Sequence, residues 1–467
     1  MIMSSIGYNV TRVQFKGNDR LTLGIVLGVL TFWLFAQSMM NIVPAIQQDI
    51  NIPSASLNLA ISLTSLLSGC FIVVAGAAAD KIGRVKMTYI GFVLSIVGCL
   101  LIIFASNTVI FAAGRVVQGL SGACIMPATL ALMKTYYEGK ARQRALSFWS
   151  IGSWGGSGIC SLFGGAVATS MGWKWIFIFS IICALVGMLL IHGTPESKVV
   201  EKGRHRFDYL GLCAFVVMLI SLNLIITKGS TLGWKSQPML ILFAVFVVSA
   251  IVFGKESYFK RQNGFIDLSL FKNKPYAAAT FSNFMLNAAA GTLLVASLYV
   301  QQIRGFTAFQ SGMLTIGYLI AVLAMIRVGE RLLQKIGAKK PMLLGSFMTG
   351  IGIALMALTF LSNTAYVVAV LLGYILFGLG LGFYATPSTD TAISNAPADK
   401  VGIASGIYKM ASSLGGAFGV AISASVYTAL LSSGGATAAT IGLLVNVLFC
   451  LLSFIAVLIM VPRNAGK

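Results

Sequence analysis

Hydrophobic positions in this chain come in runs of about twenty, the length that carries a helix across a bilayer at 1.5 Å per residue. Polar and charged residues collect in the short gaps between the runs. The pattern predicts fourteen helices, at 21–43, 57–79, 87–105, 109–133, 145–169, 173–191, 208–227, 238–256, 276–301, 310–330, 341–361, 366–388, 403–431 and 438–461. The two longest gaps, 192–207 and 257–275, separate helices seven and eight from the rest. The expected layout is an all-α polytopic membrane protein. A tail (1–20) leads into a six-helix bundle (21–191), a linker (192–207) and an inserted helix pair (208–256). A second linker (257–275), a second six-helix bundle (276–461) and a short tail (462–467) follow.

The two bundles read as copies. Gly122, Pro127 and Thr129 of helix four recur as Gly382, Pro387 and Thr389 of helix twelve, and Gly155-Gly156 of helix five recur as Gly415-Gly416 of helix thirteen. Every pair is 260 positions apart. Parallel copies imply an axis along the membrane normal, the arrangement of transporters that rock two halves around a midplane site.

Composition agrees: 57% of residues are hydrophobic and 10% charged. The net charge of +21 raises the question of nucleic acid, but the basic residues form no single stripe and fall in alternate short loops. With the N-terminus inside, only Lys174, Lys228, Lys235 and Arg304 fall outside, and both tails are cytoplasmic. Residues 1–20 read as a tail without a cleavable signal. The seven cysteines lie in or beside apolar runs without metal spacing, so they read as small buried hydrophobes; no metal and no cofactor are expected.

Two local patterns carry mechanism. The loop after helix two contains Gly76, Asp80, Lys81, Gly83, Arg84 and Lys86. Its glycines allow a tight turn, and Asp80 is placed to pair with a base or to cap a helix N-terminus. The alternative is a plain basic loop with a turn glycine. Helix five holds Gly152, Gly155, Gly156, Gly158, Gly164 and Gly165, a device for bringing a second backbone close. With Gly415 and Gly416 it is expected to form a seam where the halves meet; ordinary small-residue packing is the alternative.

The Gly-x-x-x-Asp-Lys-x-Gly-Arg loop resembles the signature of the major facilitator superfamily. Arg115-Val-Val-Gln118-Gly119 is similar to that family's second motif, helix five to its drug-antiporter motif, and Gly172-Trp-Lys-Trp-Ile-Phe177 to the start of helix six in the fourteen-helix drug:proton branch. The strings Phe32–Ser38 and Tyr384–Ile393 resemble Gram-positive quinolone efflux pumps of the NorB/NorC type. The resemblance implies proton-driven export of amphipathic drugs (quinolones, dyes and biocides) through the plasma membrane of a Gram-positive bacterium, by a monomer that is not an enzyme. One departure matters: where the antiporter motif carries Gly-Pro, this chain has Cys160-Ser161, so no proline kink is expected.

Candidate residues follow. Arg115 is a guanidinium inside a membrane helix, costly and usually kept for a pathway or partner; snorkelling to the surface is the alternative. Lys409 lies near the cytoplasmic end of its helix, within reach of the interface. Proton coupling needs a buried acid. Asp390, and after it Glu330, are the acids at helix ends facing the bundle; Asp390 capping a turn at the surface stays open. For the substrate cavity, Trp33, Gln37 and Asn41 share a face of helix one, as do Asn283, Asn287 and Gly291 in helix nine. Their alternative is hydrogen-bonded glue between helices.

Other classes fare worse. Gly155-Gly-Ser-Gly158 matches an intramembrane serine-protease string, but the two histidines, His192 and His205, lie in a loop. No Walker loop appears. A facilitator or importer of a small metabolite, or a non-transporting sensor, remains open on the same fold.

Overall fold

The computed structural model describes residues 15–41, 43–50, 54–198, 208–260 and 268–466. Most of the tail 1–20, most of the linker 192–207 and part of the linker 257–275 therefore lie outside the described residues.

Among the described residues the protein is all helical, without a strand. The first set of helices comprises α1 (Asp19–Leu30), α2 (Val43–Ile50), α3 (Ser54–Ile82), α4 (Arg84–Ile103), α5 (Thr108–Tyr136), α6 (Gly139–Ser150), α7 (Gly156–Ser170) and α8 (Lys174–Ile191). The pair α9 (Tyr209–Leu232) and α10 (Gln237–Lys260) follows. The second set comprises α11 (Lys274–Ala288), α12 (Gly291–Gln302), α13 (Ala308–Leu314), α14 (Ile316–Ile336), α15 (Lys339–Met356), α16 (Asn363–Asn395), α17 (Val401–Leu430) and α18 (Gly435–Met460). Among the described residues eleven helical stretches are long and apolar enough to cross a membrane. The expected spans at 145–169, 208–227 and 341–361 are helical as well, within Gly139–Ser170, Tyr209–Leu232 and Lys339–Met356.

Side-chain amides start several helices: Asn18, Asn107 and Asn273 accept from the backbone N–H three residues on, filling an orphan donor of α1, α5 and α11. Pro127 and Pro387 sit inside α5 and α16, yet both helices run on past them. On the turn after Pro387, Thr391 Oγ1 donates back to Pro387 O at 2.7 Å.

Four helices expected to be regular are interrupted, one of them the tenth, which breaks at Thr315 between α13 and α14. The first passes from α1 into a π turn (Thr31–Phe35) and then a 3-10 stretch (Ala36–Asn41). The fifth carries a π turn at Ile151–Gly155, between α6 and α7. The ninth breaks at Ala289-Ala290, between α11 and α12. Helix five thus departs from regularity without a proline, at its own glycines, where the backbone is cheapest to rewind.

In each bundle a long central helix holds the others: α5 packs on α3 and α4, and α16 on α14 and α15. The pair α9–α10 touches the rest mainly through α9 against α3 and α17, and α10 shows an apolar surface that includes Leu240, Phe243 and Val248. Both described chain ends lie at one face. Gly17 N donates to Tyr136 O at 2.7 Å, and Gln143 Nε2 to Gly466 O at 2.9 Å.

Candidate functional site

At that face the loop glycines and Asp80 act as a unit. Asp80 is buried at the end of α3 and accepts from Arg84 Nε at 3.1 Å and Nη2 at 2.9 Å. It also accepts from Gly402 N at 2.9 Å and Ile403 N at 3.1 Å. Those amides open α17, so a carboxylate of the first bundle occupies the positive end of a helix in the second. Arg84 extends the clasp to Thr135 Oγ1 at 2.6 Å and Ala398 O at 3.1 Å. Gly76 faces the Gly402 carbonyl so closely that a Cβ on either glycine would collide with the other's backbone. Gly83 has φ +130°, a conformation that L side chains rarely adopt. Beside it Glu196 accepts from Val85 N and Lys86 N at 2.9 Å each, capping α4. Lys81 is exposed.

A second clasp lies alongside. Arg142 Nε donates to the fully buried Asp390 Oδ1 at 3.0 Å, joining α6 to α16. Lys134 Nζ donates to Ser394 O at 3.1 Å and also to Ala396 O. Asp390 therefore caps no turn, since α16 continues to Asn395 and the carboxylate is engaged across the interface. Glu330 is buried too, but its partners, Arg327 and Gln334, are on its own helix.

Arg115 does not join these acids. It sits on α5 nineteen residues from Lys134, or about 28 Å along a helix rising 1.5 Å per residue. Its Nη1 donates to Ala36 O at 3.0 Å and Gln118 Oε1 at 2.6 Å, and Thr64 Oγ1 donates to Arg115 O. The arginine is buried and does not snorkel. It satisfies the Ala36 carbonyl where helix one changes from π to 3-10 winding, and Gln118 steadies it. Gly119 gives α3 room, its Cβ position meeting Thr64 O.

The expected amide stripes change character. Periodicity of 3.6 does not run through residues 31–41, so Trp33 and Gln37 do not continue one regular face, and the Asn41 side chain lies outside the described residues. Gln37 Nε2 reaches Ser65 Oγ at 3.4 Å. Asn283 Nδ2 donates to Tyr408 O at 3.0 Å and Ser412 Oγ at 2.6 Å, and Asn287 Nδ2 to Asn283 O at 2.7 Å. Asn283 joins α11 to α17, the bonding alternative raised by the spacing, whereas Asn287 bonds back to Asn283 within α11.

Nor do the seam glycines form one seam. Gly152, Gly156 and Gly164 pack against helix one, within their own bundle. Only Gly155 and Gly158 face the other half, at Leu323 and Leu319 of α14. Gly415 packs on Phe284 O of α11; Gly416 has only Asn287 O, at 4.0 Å, and Gly165 has nothing within 4 Å. The close interface between halves is instead α3 on α17, through Gly76, Gly402 and Gly406, the last against Ile72 and Val73. Gly402, Gly406, Arg142, Lys134 and Glu196 were not legible as site residues, because their partners are scores or hundreds of positions away. Lys409 also differs from expectation: it is buried, with its Nζ 4.6 Å from the Trp149 ring centroid.

Two bundles clasped at one face, with the cross-bundle hydrogen bonds between described residues gathered there, form an architecture that comparison can name. The family model of the major facilitator superfamily matches residues 25–420.

The chain belongs to the major facilitator superfamily.

It is a multi-pass plasma-membrane transporter and not an enzyme. Among its relatives, the quinolone resistance protein NorB of Staphylococcus aureus strain MRSA252 is 54% identical over 458 residues, covering 97% of this chain and 98% of the relative. NorB of strain COL matches at the same identity and coverage. Among solved structures, the human organic anion transporter MFSD10 (TETRAN) superposes with a TM-score of 0.62 at 14% identity, over 94% of this chain and 98% of that one. A bacterial homologue of the iron transporter ferroportin, in an outward-facing state, gives 0.61 at 11% identity with the same coverage. At such identities the two structures speak for the fold alone.

Proposed function

We propose that this protein is a proton-coupled multidrug antiporter that exports amphipathic compounds, quinolones first among them, by alternating access. The observation that carries the reading is the double clasp at one face, Asp80 on the α17 N-terminus and Arg142 on Asp390, in a chain 54% identical to a quinolone resistance protein. Each clasp joins the two halves, so breaking both lets that face open while the opposite one closes.

Asp390 is the coupling acid in this scheme. Protonation removes its charge from Arg142 and loosens one clasp; Asp80, Arg84, Gly76 and Gly83 form the other. Glu330 is the second candidate, and Arg115 holds the distant end of helix one. Trp33, Gln37, Asn283 and Asn287 line or brace the substrate path. The fold is taken to have fourteen spans in two six-helix bundles (21–191 and 276–461) with an inserted pair (208–256), tails inside. It works as a monomer in the bilayer, with protons and drugs as its partners. Three helical stretches beyond the eleven long apolar ones, and both described ends meeting at one face, support that count and orientation.

The test is uptake of a quinolone and of a cationic dye into inverted vesicles with an imposed pH gradient. Accumulation that collapses with the gradient is expected. Gradient-independent flux of a sugar or amino acid instead would replace this reading with a facilitator.

A further inference from the structure

Lys409 is 6% exposed, and its ammonium is surrounded by rings: 4.6 Å from the Trp149 centroid, 5.8 Å from Trp33 and 6.0 Å from Tyr408. The buried acids nearest in kind are already matched: Asp80 to Arg84, Asp390 to Arg142, Glu330 to Arg327. No ion pair to Lys409 is formed among the described residues. Aromatic faces attract a cation but do not cancel its charge, so this ammonium has an unfilled demand for an anion.

The rings are held from their far edges. Trp149 Nε1 donates to Thr129 Oγ1 at 3.1 Å, and Trp33 Nε1 to Met126 Sδ at 3.3 Å. The Tyr408 hydroxyl is bonded to Ser388 Oγ at 3.0 Å. Both indoles belong to the first bundle and Lys409 to the second. Trp149 and Lys409 are separated by the same 260 positions as the repeated glycine pairs. Equivalent residues of two repeats that touch one another must lie close to the axis relating the repeats. The cluster therefore sits between the halves, close to the axis that relates them.

We infer that Lys409, Trp149 and Trp33 form a recognition site for an aromatic carboxylate. A single ammonium, the one cation that the described residues place against these rings, suits one monoanionic carboxylate better than a phosphate dianion. Trp33, only partly buried, offers the face on which the ring carrying that carboxylate stacks, while the fully buried Trp149 backs the ammonium. This rests on the export reading above and assigns that pathway a substrate class. It also explains how one pathway takes an acid and a cation: the carboxylate meets Lys409, whereas a cationic aromatic uses the Trp33 face alone.

The test uses the full chain in lipid nanodiscs and three probes: a quinolone carboxylic acid, its methyl ester and a permanently cationic dye. Binding is followed by tryptophan quenching. The acid is expected to bind about tenfold more tightly than the ester, the order of a charge-assisted contact. In K409Q that preference disappears, and in K409R it persists. The ester provides the comparison on the unaltered chain should K409Q fail to fold. Equal binding of acid and ester by the unaltered chain, or an undiminished preference in K409Q, would overturn the inference. So would K409Q weakening all three probes alike. Failure of the export reading shows elsewhere, as absence of gradient-driven flux of every probe in proteoliposomes, while the acid-to-ester ratio still decides the site.

Discussion

Asp80 and Gly402, 322 positions apart, meet at 2.9 Å, with the carboxylate of one bundle accepting the amide proton that opens the first turn of α17 in the other. The contact is chemically economical. A buried carboxylate needs several donors, and it finds two on Arg84 and two on adjacent backbone amides whose own helix leaves them unsatisfied. The same geometry explains why the position opposite Gly402 is Gly76, since a side chain on either would part the backbones.

Asp80→Asn keeps the shape but replaces two acceptor oxygens with one and removes the charge. Export by this variant is expected to fall at least about tenfold, because charge-assisted contacts carry roughly 1.5–3 kcal/mol each. The exchanged pair Asp80→Arg with Arg84→Asp is expected not to recover, since an arginine cannot accept from Gly402 N. Recovery of gradient-driven flux in the exchanged pair would argue that only the Asp80–Arg84 attraction matters.

Arg142→Leu leaves Asp390 buried without its counter-charge. Breaking one side of such a pair costs about 3–5 kcal/mol. The closed face should open more often, giving faster labelling of a cysteine introduced at Ser394. Combining Arg142→Leu with Asp390→Asn should return labelling most of the way, while gradient-driven export stays lost. Normal export by Asp390→Asn alone would remove Asp390 from proton coupling.

The glycines separate into two groups. Gly76→Ala and Gly402→Ala place a Cβ against backbone that cannot yield, whereas Gly165→Ala meets open space and Gly416→Ala has one neighbour at 4.0 Å. The first two should lose most transport at normal expression, and the last two should gain slightly in helix stability, by up to about 1 kcal/mol each. Melting temperature and flux measured on the same four preparations decide the matter. Similar behaviour of all four would contradict the assignment of the α3–α17 interface.

The two amides of α11 are also expected to diverge. Asn283→Leu strands Tyr408 O and Ser412 Oγ without their donor, a loss of about 1–3 kcal/mol that should lower thermal stability. Asn287→Leu removes only a bond back to Asn283 and should alter the drug profile more than the melting point. The reverse order would indicate that Asn283, not Asn287, faces the substrate.

The helical runs, the Asp80–Arg84 loop and the buried Arg115 were legible in sequence because each depends on local composition and spacing. The winding of helix one was not. A π turn at Thr31–Phe35 leaves no signature in hydropathy, and it undoes the face shared by Trp33 and Gln37. Counting residues along the helix places Lys409 near the interface, but the packing of α17 against the first half brings it inside.

The amino-acid sequence by itself determined that this chain is a helical membrane protein, because bilayer thickness dictates the length of its apolar runs, and its loop motifs placed it by resemblance among the facilitators. Only the tertiary structure decided which acid meets which base. Asp80 with Gly402 and Arg142 with Asp390 join residues 322 and 248 positions apart. At such separations no local pattern selects a partner, and the choice falls to the packing of two bundles around a shared interface.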